Sequence, residues 1–164
     1  ILRLSLSDRE DLIPLKSELE YVGHYIKIQN LRFPKRYTFE ISFEEEMLEY
    51  CVPKYAIQTL VENAVLHGID PKGGEGRISV KGEKEGEDLC IRVTDNGVGI
   101  PEGKLKKIRD RLASARETSD EEGIGIQNVN DRLTMHFGEA YAVQLNSMEE
   151  QGTEVVFRVP CHHC

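Results

Sequence analysis

The sequence lacks any apolar run near the ~20 residues that span a bilayer, which excludes a transmembrane helix within it. It also lacks an excess of positive charge. Its 21 Lys and Arg face 29 Asp and Glu, for a net charge of −8. A broad nucleic-acid surface is thereby excluded, and only a local basic cluster remains open. A disulfide framework is missing too. Cys51 and Cys90 stand alone inside apolar stretches and read as small core residues. Cys161-His162-His163-Cys164 has zinc-ligand chemistry, but four consecutive ligands rarely close a tetrahedron. The run reads as a loose, reduced, cytoplasmic tail. The chain opens on Ile1-Leu2-Arg3 with neither an initiator Met nor a signal peptide, so it reads as a part excised from something longer.

What is present suits one compact domain: 164 residues, 39% hydrophobic and 30% charged. Pro14 can open a helix, from which Leu15, Leu19, Val22 and Ile26 form a seam of 3.5-residue period. Tyr21, Tyr25 and Ile28 make a second apolar stripe, and Pro34 ends the helix near Arg32 or Phe33. A helix with two apolar faces expects two partners, one of them outside this chain. Tyr37 to Phe43 alternates as a strand. Pro53 then starts a second helix, with Ala56, Ile57, Leu60, Val61 and Ala64 on its buried face, and Gly68 stops it. After a loop at Gly73, Gly74 and Gly76, strands at Arg77–Lys81 and Leu89–Thr94 flank a charged turn. A short helix at Lys104–Ala115 and another from Gly125 to about Phe137 precede a hairpin of Ala142–Ser147 and Thr153–Val159. The order implies an α+β two-layer sandwich, a mixed and mostly antiparallel sheet with helices on one face.

Three segments carry chemistry. In Leu60–Gly68, Thr59, Asn63 and His67 recur every four residues and share a helix edge. Asn63 offers a neutral oxygen that suits Mg²⁺ held jointly with phosphates, and His67 can meet phosphate oxygens. The same spacing also describes a plain polar edge. In Thr94-Asp95-Asn96-Gly97-Val98-Gly99-Ile100, a carboxylate at a strand end can accept from an exocyclic amine, although an Asp-Asn-Gly turn alone needs no ligand. In Gly123-Ile124-Gly125-Ile126-Gln127-Asn128, glycines ahead of a helix expose N–H groups to phosphate. No Gly-Lys-Ser/Thr follows, which excludes a Walker A loop, and the missing third glycine excludes a dinucleotide fingerprint.

Taken in this order, the three segments resemble the N, G1 and G2 boxes of the GHKL (Bergerat-fold) ATP-binding superfamily, which includes gyrase, the MutL mismatch-repair ATPase and sensor histidine kinases. Glu18-Leu19 through Tyr25, Arg32-Phe33, Gln58 through Gly68 and Gly123 through Leu133 narrow the likeness to the LytS/YesM-type branch of those kinases. It covers about Leu15 to Pro160. The resemblance implies Mg²⁺ at Asn63, phosphates near His67, and adenine read by Asp95. It also implies nucleotide over Gly97, Gly99 and Ile100, phosphates at Gly123, Ile124, Gly125 and Ile126, and adenine help from Thr153. The segment between the second and third boxes matches an ATP lid. Six cations fall there within thirteen residues, Lys104, Lys106, Lys107, Arg109, Arg111 and Arg116. Lys104 and Lys107 are taken as phosphate-contact candidates; a solvated helix face is the plainer account of the cluster.

The branch's Pro-His-Phe-Leu-Phe-Asn acceptor segment is absent, and His24 reads as structural. Residues 1–33 are therefore expected to be the end of a dimerisation and phosphoacceptor helical region. Residues 34–160 are the ATP-binding domain and 161–164 a tail. The expected function is transfer of the ATP γ-phosphate to a histidine outside the chain. A response regulator is the onward partner, and the parent is a homodimeric membrane sensor whose cytosolic part this is. A nucleotide-dependent switch without transfer and an anti-sigma-type serine kinase are the alternatives.

Overall fold

The computed structural model describes residues 11–114 and 124–164. It opens on β1 (Leu12–Pro14) and helix α1 (Leu15–Arg32), with Pro14 at the position before the first turn. Leu15 and Val22 of the seam are fully buried, and Leu19 and Ile26 pack partly against the same core. The second stripe divides. Tyr21 stacks on Tyr55 with ring centroids 5.4 Å apart, Tyr25 packs on the core, and Ile28 is exposed.

Strand β2 (Tyr37–Ser42) is followed by a 3₁₀ turn (Glu45–Glu49) and β3 (Cys51–Pro53). Pro53 thus ends a strand rather than starting a helix, because β3 pairs antiparallel with β1, Leu12 opposite Pro53. Helix α2 (Ala56–Asn63) begins three residues later, after Tyr55 at φ 63°. Gly68 does not stop it. The chain runs on through a π turn (Ala64–Ile69) and a 3₁₀ turn (Asp70–Lys72), and Gly73 at φ 73° ends the run.

Strands β4 (Gly76–Glu85) and β5 (Asp88–Asp95) are longer than the sequence pattern suggests and meet at a tight Gly86-Glu87 turn. Helices α3 (Glu102–Ala113) and α4 (Ile124–Phe137) lead to the hairpin of β6 (Gln144–Met148) and β7 (Gly152–Pro160). The five-stranded sheet has the order β2-β4-β5-β7-β6, parallel only between β2 and β4. This is the mixed, mostly antiparallel sheet expected.

The strand period of two puts Leu89, Ile91 and Val93 of β5 opposite Val159, Phe157 and Val155 of β7, all buried under the helices. The other face carries ion pairs, Arg92–Glu154 at 3.3 Å, Arg158–Glu85 at 2.9 Å and Lys81–Glu40 at 2.8 Å. Exposed pairs of this kind are each worth ~1 kcal/mol or less.

The cysteines correct the sequence expectation. Cys51 and Cys164 form a disulfide across 113 residues, while Cys90 is a free, buried thiol and Cys161 a free, half-buried one. The tail is not loose: the Cys51 N–H donates to the His162 carbonyl at 3.0 Å, and His163 bridges to Tyr50. A 113-residue pairing is a tertiary fact that no local spacing announces.

Candidate functional site

The alternation that buries β5 ends on Asp95, so its carboxylate falls on the helix-covered face, directly opposite Thr153 of β7. Asp95 is only 7% exposed. Burial pushes its carboxyl up to about 6, opposed by the Gly97 and Thr153 N–H groups and by the charge of Lys72. The Gly97 N–H donates to Oδ1 at 2.8 Å. A carboxylate holds about four acceptor directions, so capacity remains on the cavity side. Thr153 Oγ1 lies 2.8 Å from Ser147 Oγ, which also accepts from the Ile100 N–H at 2.9 Å. The loop after β5 and the start of β7 are therefore tied together through one serine.

Three glycines let backbone meet backbone here. A Cβ on Gly97 would lie 2.2 Å from the Gly68 carbonyl, one on Gly99 (φ 69°) 2.0 Å from the Met148 oxygen, and one on Gly152 (φ 111°) 2.0 Å from the Asp95 oxygen. Gly68 itself sits against the carboxylate: its Cβ would be 2.6 Å from Asp95 Oδ1. Its role is close approach in the π turn, not helix termination.

These contacts leave a cavity of about 190 Å³ between the sheet, α2 and the lid helix α3. Asn63, His67, Asp95, Gly99, Ile100, Lys104, Ile124, Gly125, Ile126 and Thr153 line it, joining residues from all three sequence segments. Gly97 lies behind Asp95 as support. Lys107 is on the exposed side of α3 and does not line the cavity. Thr59 does not line it: one turn earlier than Asn63 on α2, it borders a separate hollow with Tyr55, Asn128 and Arg132. Gly123 and Arg116 fall outside the described residues.

Leu60, Val93, Ile108 and Val155 complete an apolar wall that suits a planar base. Of these the sequence pattern places only Leu60 on a buried face; Val93 and Val155 fall within expected strands and Ile108 within the expected short helix, and their spacing from Asp95, Thr153 and Lys104 is the available signal. Helix α3 is fastened to its surroundings. Arg109 donates to the Leu145 carbonyl at 2.8 Å and to Asn146 Oδ1 at 3.2 Å. Buried Asn130 donates to the Leu112 carbonyl at 3.2 Å and accepts from the Val143 N–H at 2.9 Å.

The residues present fit a phosphate-held divalent cation at one end. The Asn63 amide stands beside Gly125, where a Cβ would come within 2.8 Å of Nδ2, so the glycine keeps that polar group open. Lys104 and His67 lie on the same cavity's lining.

Residues 53–163 match the family model described as histidine kinase-, DNA gyrase B-, and HSP90-like ATPase, and residues 1–37 match a second, described as histidine kinase. The sensor histidine kinase YesM of Bacillus subtilis is 31% identical over 163 residues, covering 99% of this chain and 26% of that protein. The sensor protein LytS of Staphylococcus saprophyticus is 35% identical over 155 residues, 94% of this chain and 26% of that protein. The chain thus spans about a quarter of the length of such relatives. Among solved structures, the mycobacterial sensor histidine kinase MprB superposes with a TM-score of 0.62 at 15% identity, covering 93% of this chain and 98% of that one. The nucleotide-free catalytic domain of the histidine kinase ThkA reaches a TM-score of 0.62 at 17% identity, covering 91% and 95%. With a family model matched over residues 53–163, most of its length, the chain belongs to the histidine kinase-, DNA gyrase B-, and HSP90-like ATPases.

Proposed function

We propose that the chain is the catalytic end of a sensor histidine kinase, binding Mg–ATP and delivering its γ-phosphoryl group to a histidine outside the chain. One observation carries the reading: Asn63, Asp95 and Gly125, from three separate segments, line one cavity with an apolar wall between them. Asp95 would accept the adenine amino group, with Thr153 beside it. Ile100, Ile126 and the apolar wall would hold the ring.

Asn63 would hold Mg²⁺ together with the phosphates, where the cation would neutralise charge when bound. His67, Lys104 and the N–H groups at Gly125 would face the phosphate oxygens. The chain's own contribution is then positioning and charge neutralisation rather than covalent chemistry. A second protein in the relay, a response regulator, would take the phosphoryl group onward; the histidine kinase ThkA has been crystallised in complex with the response regulator TrrA. No helix among the described residues is long and apolar enough to cross a membrane. We place the domain on the cytosolic side of a homodimeric sensor.

The test is transfer from γ-labelled ATP to an acceptor helical segment supplied in trans. Acid-labile, base-stable phosphate is expected, and Asn63→Ala should abolish it. Acid-stable label on a hydroxyl residue, or transfer unchanged in Asn63→Ala, overturns the proposal.

A further inference from the structure

The start of α2 is capped from another element. Its own N-cap residue, Tyr55, stands in the left-handed region and makes no side-chain cap. The first N–H groups of the helix would be orphans without an outside partner. Glu18, one turn into α1, supplies it. The side chain is 0% exposed, its Oε2 accepts the Ala56 N–H at 2.8 Å, and the N–H groups of Tyr55 and Ile57 face the same carboxyl. The opposite oxygen, Oε1, is buried with no partner. Arg132 of α4 is the cation acting on the group, although its guanidinium donates to the Lys54 carbonyl.

The approach follows from the small ribbon. β1 runs directly into α1, β3 leads to α2, and the two strands pair. The Leu15 N–H also donates to the Tyr50 carbonyl at 2.8 Å. Two helices far apart in the chain therefore begin side by side. A buried carboxyl is a poor way to fill a core, since an apolar residue of similar size avoids the desolvation cost. Its distinctive property is that it satisfies helix N–H groups and complements the positive end of the helix.

The consequence lies at the other end of α2. The helix has eight residues and Asn63 is the last of them; beyond it the chain enters a π turn. The register of Asn63 is therefore set from the capped end. We propose that Glu18 is a positioning residue for the nucleotide site: by capping α2 from α1 it fixes the helix that carries Asn63, so that α1 and the metal end of the cavity move together. This rests on the reading of Asn63 as the metal-side residue. The bond joins two separately matched regions, 1–37 and 53–163.

The test is calorimetric titration of the 164-residue chain with ADP, with Mg²⁺ and with chelator. In the unsubstituted chain Mg²⁺ should raise the affinity. Glu18→Ala should reduce that Mg²⁺-dependent gain about tenfold, the equilibrium equivalent of a lost cap, and leave Mg²⁺-free affinity within about twofold. Glu18→Gln keeps an acceptor but loses the charge, so the gain should fall about threefold. A lower Tm with the full gain retained makes Glu18 merely structural and overturns the inference. Should Glu18→Ala not fold, an unchanged gain in Glu18→Gln overturns it equally. ADP binding with no Mg²⁺-dependent gain in the unsubstituted chain overturns the metal-side reading of Asn63 and this inference with it. A normal gain that survives Glu18→Ala overturns this inference alone.

Discussion

Replacing Asp95 by Asn changes one atom at the base of the cavity and separates folding from recognition. The carboxylate is 7% exposed and already holds the Gly97 N–H at 2.8 Å. Asp95→Ala would strand that donor, and any loss of binding would be confounded with loss of structure. The amide of Asp95→Asn can keep its oxygen toward Gly97, which directs its NH₂ into the cavity. An adenine amino group then meets a donor instead of an acceptor. Hydrogen bonds to charged groups are worth ~1.5–3 kcal/mol, so ADP affinity should fall by roughly 10- to 150-fold. Inosine diphosphate presents a carbonyl at the same position and should lose far less or gain. The ADP to inosine diphosphate affinity ratio, measured by calorimetry, should therefore drop by about tenfold or more. The ratio is insensitive to partial unfolding, because both ligands see the same folded fraction. A ratio unchanged within about twofold would refute the assignment of Asp95 to the base, whatever happened to the absolute affinities.

Other outcomes follow from the same geometry. Gly125→Ala places a methyl group 2.8 Å from the Asn63 amide, a movable side-chain end, so Tm should hold while Mg–ADP affinity falls at least about tenfold. Gly97→Ala meets the Gly68 carbonyl at 2.2 Å, which is backbone, and should instead appear as loss of folded protein in thermal melts. Burial lifts the Glu18 carboxyl from 4.5 to about 7, so the folded state binds its proton more tightly than the unfolded state. The resulting stability is full below about pH 4.5 and is lost as pH rises through about 7. It amounts to roughly 3 kcal/mol, and the difference in unfolding free energy between wild type and Glu18→Gln should track that window in denaturant titrations. Thiol counting under denaturing, non-reducing conditions should give two thiols, Cys90 and Cys161, and four after reduction, with a fall in stability of ~2–4 kcal/mol.

The ligand-facing part of the site was the most legible in the sequence, because its chemistry is carried by types that stand out locally. Asp95 with its glycines and Gly125 ahead of a helix each announce themselves within a few residues. The exceptions are those set by distant partners. Pro53 carries a helix-start signal, yet pairing with Leu12 claims it for a strand. Gly68 carries a helix-stop signal, yet the approach of Gly97 and Asp95 makes it a contact glycine inside a π turn. Thr59 shares its helix edge with Asn63, yet the cavity does not reach that far along α2, and Thr59 borders a separate hollow beside Arg132. Glu18 figures in the sequence only as part of the family likeness, with no role of its own. Its spacing of three from Leu15 and four from Val22 did place it on the buried stripe, and a charged residue there was the available warning. What the stripe could not supply was the partner, the uncapped end of a helix 38 residues on.

The floor beneath the base is made where main chain rests on main chain, at Gly97 against Gly68, Gly99 against Met148 and Gly152 against Asp95. Such contacts have no side chain to repack. A changed side chain elsewhere does not itself remove these contacts, while a single methyl at any of the three glycines meets backbone at once. The site is thus inherited as a backbone template, tolerant of substitution at its neighbours and brittle at three positions. A domain built this way can diverge far in sequence and keep the same nucleotide seat.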